Sequence, residues 1–115
     1  MARTAITATD LAKTGYNLTD SAHFTTLSAG AGNGVEVPFD ANKRIFLKND
    51  TGGASTWTVK IPTSQSHVDI GVTFPDMTIS IANGKTWILE PQSPFRQASG
   101  TIYIDCSVAG KVLLL

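Results

Sequence analysis

The chain has a single cysteine, Cys106, so no disulfide can form within it. Oxidising compartments favour cysteine-dense small domains, and this composition fits synthesis in a reducing cytoplasm instead. Charge is equally sparse. Only 16% of the 115 residues are charged, against about 25% in ordinary domains, so the polar surface must be built mainly from Thr, Ser, Asn and Gln. Nine basic residues cancel nine acidic ones. Binding to nucleic acid depends on Lys and Arg releasing counterions from phosphates, and neither an excess nor a cluster of them is present, so no nucleic-acid partner is expected. No run approaches the roughly 20 apolar residues of a membrane span, and no continuous apolar h-region follows Met1, so neither a membrane partner nor a secretory signal is expected. The sequons at Asn17 and Asn49 then carry little meaning.

Helical periodicity is also missing. In its place, two-residue alternation recurs between glycine turns. Thr56 to Ile61 sets Trp57, Val59 and Ile61 on one side and Thr56, Thr58 and Lys60 on the other; residues 77–81 and 101–106 repeat the arrangement. Side chains of a strand point to opposite faces in turn, so this spacing describes half-buried strands with one wet face. Thr suits such strands, because its branched Cβ packs on a pleated surface.

A chain of this length is expected to form one domain and to bury roughly 65% of its unfolded surface. Residues 1–22 read as an extended N-terminal arm, in which Asp10 could cap a single helical turn ended by Gly15. Residues 23–115 read as a single β domain. Strands are expected at 23–27, 35–39, 44–48, 55–61, 67–73, 77–81, 85–90, 101–107 and 111–115, with Pro38 directing its strand to an edge. Three hairpins follow from the short turns between them: 44–48 with 55–61, 77–81 with 85–90 across Asn83-Gly84, and 101–107 with 111–115 across Ala109-Gly110. The fold class is all-β, an antiparallel β-sandwich or jelly-roll-like barrel with an extended N-terminal arm.

Chemistry-bearing residues are few. The aromatics Trp57, Trp87, Tyr16 and Tyr103 could line a sugar platform, but Trp57 shares its face with Val59 and Ile61 and reads as core. Trp87 lies in a strand that is apolar on both faces, a pattern of a central strand or of a buried interface. His67 and Asp69 supply at most two of the three or four ligands a metal needs. The Asn49 to Gly53 segment lacks the alternating carboxylates of a calcium loop and reads as a turn. Gly30, Gly32 and Gly34 precede a strand, whereas a phosphate-cradling loop opens a helix. Cys106 aligns with Ile102 and Ile104 as a small hydrophobe, and no serine has a nucleophile-elbow setting. No catalytic, cofactor or metal residues are expected.

The order of landmarks carries a resemblance. The opening MARTAIT with TDL, RIFLKNDTGG leading into STWTVKI, DMTISIANGKTWILEP, and the late QASGTIYIDCS resemble small β-rich capsid-associated proteins of tailed bacteriophages, the head decoration or cement proteins. The resemblance runs from the N-terminus to about residue 107 and implies a structural, non-enzymatic virion protein without cofactors. It implies binding to the outer capsid surface at capsomer contacts, after synthesis in the host cytoplasm. The implied partners are the major capsid protein and further copies of the chain, as a homotrimer or homodimer. Near-zero net charge suits close packing of copies. The interface candidates are Arg3, Ile6, Leu11, Tyr16 and Leu18 of the arm, Trp87, and Leu113 and Leu115 of the apolar C-terminal end. The alternative from a different class is a carbohydrate- or receptor-binding β-module of a tail or fibre, with Trp87 and the tyrosines Tyr16 and Tyr103 as its platform.

Overall fold

The computed structural model describes residues 3–9, 23–62 and 75–115. Among them are nine strands: β1 (Thr4–Ala5), β2 (Thr25–Thr26), β3 (Val35–Pro38), β4 (Ile45–Asn49), β5 (Ser55–Val59), β6 (Met77–Ile81), β7 (Lys85–Leu89), β8 (Thr101–Cys106) and β9 (Lys111–Leu114), with a 3₁₀ turn at Ser93–Phe95. They form two sheets, in the orders β1-β3-β8-β5-β6 and β2-β9-β4-β7, packed face to face as a β-sandwich. Every pairing is antiparallel except β1 with β3. The strand expected at 67–73 and the helical turn after Asp10 lie outside the described residues.

Alternation sorts the faces as the physics of a strand requires. Val35 and Val37 of β3, Trp57 and Val59 of β5, Ile79 and Ile81 of β6, and Ile102 and Ile104 of β8 point inward. They meet Ile45 and Leu47 of β4, Leu89 of β7, and Val112 and Leu114 of β9 across the sandwich. Burying each such side chain contributes about 1.5–3 kcal/mol, which is what holds two sheets together. β4 and β9 are buried on both faces, because Phe46 and Leu113 oppose each other on the outside and pack with Phe24 and Leu115 in a second cluster.

None of the three expected hairpins forms. β4 pairs with β7 and β9 while β5 pairs with β6 and β8, so residues 50–54 cross from one sheet to the other. The links from β6 to β7 and from β8 to β9 cross in the same way. Between β6 and β7 the bend at Asn83-Gly84 gives the physical reason. A two-residue hairpin of the Asn-Gly kind needs positive φ at both central residues. Here Gly84 has φ +79° but Asn83 does not have positive φ, and Lys85 N–H donates to Ala82 O at 3.2 Å. Positive φ at the third position alone is the type II pattern, whose twist splays flanking strands apart.

Asn49 locks two of these crossings together. Its side chain is fully buried; Nδ2 donates to the carbonyls of Gly53 (2.7 Å) and Ile81 (2.9 Å), while Oδ1 accepts from Thr51 N–H and Oγ1. Gly52 N–H in turn donates to Asn83 Oδ1 at 2.8 Å.

The first described segment is docked on the sandwich. Thr4 N–H donates to Gly34 O and Ile6 N–H to Glu36 O, along the free side of β3. Ile6 enters the main core, and Thr9 N–H donates to Leu114 O of the other sheet at 2.7 Å. The segment therefore closes one side of the sandwich. β3 is therefore not the edge strand expected from Pro38, because β1 pairs along it; Pro38 itself lies beyond the residues paired with β1.

Candidate functional site

Two surfaces collect the residues that could engage another molecule. The first is the outer face of the five-stranded sheet, where Tyr103 and Asp105 of β8 stand beside Thr56 and Thr58 of β5. An open cleft of about 400 Å³ lies there, lined by Gly30, Ala31, Thr56, Thr58, Lys60 and Asp76 along with Asp105 to Ser107. Its acids are both occupied within the chain. Asp105 accepts from Arg3 Nε at 3.0 Å and Nη2 at 2.6 Å, and from the backbone N–H groups of Gly32 and Gly34. Asp76 accepts from Lys60 Nζ and Ile61 N–H, each at 2.7 Å.

These contacts set the protonation of the cleft. Burial pushes the Asp105 carboxyl upward, but donation by Arg3, Gly32 and Gly34 outweighs it and leaves the group below its ordinary value. Asp76 is likewise lowered, its desolvation outweighed by Ile61 and Lys60. A general base works best near the operating pH, so carboxyls held this low are poor proton acceptors. Burial moves the Cys106 thiol the other way, above its ordinary value, which disfavours the nucleophilic thiolate. Among the described residues no group of three or more His, Cys, Asp or Glu side chains could hold a metal ion. The cleft offers hydroxyls and one ion pair, enough to hydrogen-bond a polar ligand.

The glycine loop therefore serves the chain itself. Its amides form a nest for an anion, and the anion is Asp105. Gly34 is there because a Cβ would collide with the Ile104 carbonyl. The guanidinium of Arg3 also lies over the Tyr103 ring at 4.4 Å, so this aromatic is covered from one side.

The second surface is β7. It is the last strand of the four-stranded sheet, paired only with β4, so its far side has no strand neighbour among the described residues. Lys85 to Ile88 are all exposed, and Trp87 (48%) and Ile88 (60%) are the exposed large hydrophobics of the described chain. Trp87 opposes Leu47 on the core side, and Ile88 opposes Phe46 on the outer side. Ile88 thus continues the outer apolar row of Phe46 and Leu113.

The expected interface residues separate accordingly. Arg3 is engaged by Asp105, Ile6 sits in the core, and Leu113 is buried in the second cluster, so all three are used within the chain. Leu115 packs beside that cluster and is half-buried. Trp87 is left accessible. Trp57 is fully buried, its Nε1 donating to Ser55 Oγ at 2.8 Å, which places it in the core as its spacing indicates. Leu11, Tyr16 and Leu18, and the pair His67 and Asp69, lie outside the described residues. Sequence reasoning missed Ile88, although its alternation with Trp87 on a strand apolar on both sides was the available signal. It also missed Asp105, because an acid inside the apolar string Ile102 to Cys106 names no partner by itself.

No family model, no curated protein and no solved structure matches this chain.

Proposed function

We propose that the chain is a head decoration (cement) protein of a tailed bacteriophage, a β-sandwich that attaches to the outer capsid surface and stabilises the contacts between capsomers. The observation that carries this reading is β7, which pairs only with β4 among the described residues and exposes Trp87 and Ile88 on its two faces. Natural sheets blunt such edges with charge, proline or cover, because a free edge templates further pairing. An edge left apolar suits a protein that works by lying against protein neighbours. The resemblance of the ordered sequence segments to decoration proteins supports the same reading, as does a surface with formal net charge zero. The major capsid protein and further copies of this chain are the partners in this proposal, and the exterior of the virion is its location. No catalytic step enters it. Many weak contacts repeated over a shell stabilise the assembled state by mass action.

Quantitative mass spectrometry of purified particles tests the proposal. Copy numbers comparable to the capsid subunit are expected, and trace abundance refutes it. The exposed Trp87 ring favours one further reading, a carbohydrate- or receptor-binding module of a tail or fibre. Glycan-array binding abolished by Trp87→Ala would establish that reading in place of the first.

A further inference from the structure

We infer that β7 is a dimerisation strand, on which a second copy of this chain adds its own β7 in antiparallel register centred on Trp87. The inference names the surface for self-association in the reading above, but its argument is strand geometry and holds whatever the chain attaches to.

The far side of β7 carries backbone groups with no strand partner among the described residues, and a strand is the shape that satisfies them. Residues directly opposed in an antiparallel pair share a face, and neighbours along one strand alternate between faces. A two-fold axis perpendicular to the sheet leaves each residue on its own face. Only registers that oppose residues of equal parity are then allowed. Of these, the register about Trp87 alone engages the whole of Lys85–Leu89 with its mate. It sets Trp87 against Trp87 of the second copy on the core side, and Thr86 against Ile88 of the second copy on the outer side. Aromatic cross-strand pairs are among the favourable ones, and this pair would cover the ring that the monomer leaves half in water.

Charge bears on the direction. Parallel, in-register addition would set Lys85 beside Lys85 of the second copy, whereas antiparallel addition places the two lysines at opposite ends of the pair. Glu90, which follows the strand, is paired with Arg44 of its own chain at 3.2 Å and takes no part in this choice. In this register Ile88 meets Thr86 of the second copy on the outer side, and the two four-stranded sheets join into one. A self-complementary edge of this kind is an isologous interface, the commonest in homo-oligomers.

Sedimentation equilibrium of the full chain, without particles, tests the inference. The unsubstituted protein is expected to dimerise, and Ile88→Lys and Thr86→Lys are each expected to raise the dissociation constant on the order of 100-fold with the circular dichroism of the fold retained. Both positions are exposed in the monomer, so if one variant misfolds the other decides the outcome. Under oxidation, Trp87→Cys should cross-link copies faster than Ser80→Cys on β6, the exposed control at the edge of the other sheet. A protein that stays monomeric, a dimer indifferent to both lysines, or faster cross-linking through position 80 overturns the inference. A monomer would leave this edge to a strand of another protein, and would leave attachment to virions to be judged by mass spectrometry.

Discussion

The side-chain amide of Asn49 donates to the carbonyl oxygen of Ile81 at 2.9 Å, joining bends that lie 32 residues apart in the chain. The same amide holds Gly53, and the backbone oxygen of Asn49 accepts from Gly84 N–H at 2.7 Å. Two crossings between the sheets are thereby fastened at one buried side chain.

Replacing that side chain should be costly. Asn49→Ala leaves the carbonyls of Gly53 and Ile81 without their donor, and an unsatisfied buried polar group costs about 1–3 kcal/mol. A loss of about 2–4 kcal/mol is expected for the variant, read from the urea midpoint at constant m-value. A change below about 0.5 kcal/mol would mean that water replaces the amide at no cost.

Acid should loosen the attachment of the first strand. The Asp105 carboxyl is lowered in the folded protein, so the unfolded chain binds more protons than the folded one through the acid range. Its contribution is fully present above the unfolded carboxylate value, near 3.9, and is lost as pH falls through the lower folded value. Asp76 contributes with the same sign, to a smaller extent because its pair with Lys60 is partly exposed. Urea midpoints measured down the acid range should fall, and Asp105→Asn should flatten that fall.

Arg3→Ala removes the main charged partner of a carboxylate that is 6% exposed. Breaking a buried pair costs about 3–5 kcal/mol, and some solvent access at Arg3 brings the expected loss to about 2–4 kcal/mol. Amide hydrogen exchange at Thr4 and Ile6, which donate to Gly34 and Glu36, should accelerate more than exchange in β5. Equal acceleration in both would show that the first strand does not open separately.

Gly110 and Trp57 form a matched pair. A Cβ at position 110 would enter the indole ring, so Gly110→Ala should cost about 1–3 kcal/mol through overpacking. Trp57→Ala should cost about 3–5 kcal/mol through the cavity it leaves. The double variant should be less destabilised than the two losses added together, because removing the ring makes room for the methyl group. Simple additivity in thermal or urea unfolding would contradict the contact.

The alternation along residues 55–61, 77–81 and 101–106 was enough to place β5, β6 and β8 and to say which of their side chains face the core, because a strand exposes its side chains with a fixed period of two. Burial of Trp57 and Cys106 followed from the same count. What the period cannot say is which strand lies alongside. An apolar face is satisfied equally by a hairpin neighbour or by a sheet across the core, and Asn83-Gly84 serves either geometry until φ of Asn83 is known. The sheet partners, the place of Asp105 beneath Arg3, and the exposure of β7 at an edge were settled only by tertiary structure. Each depends on contacts between segments remote in sequence, where packing of the whole sandwich, and not local preference, chooses the neighbour.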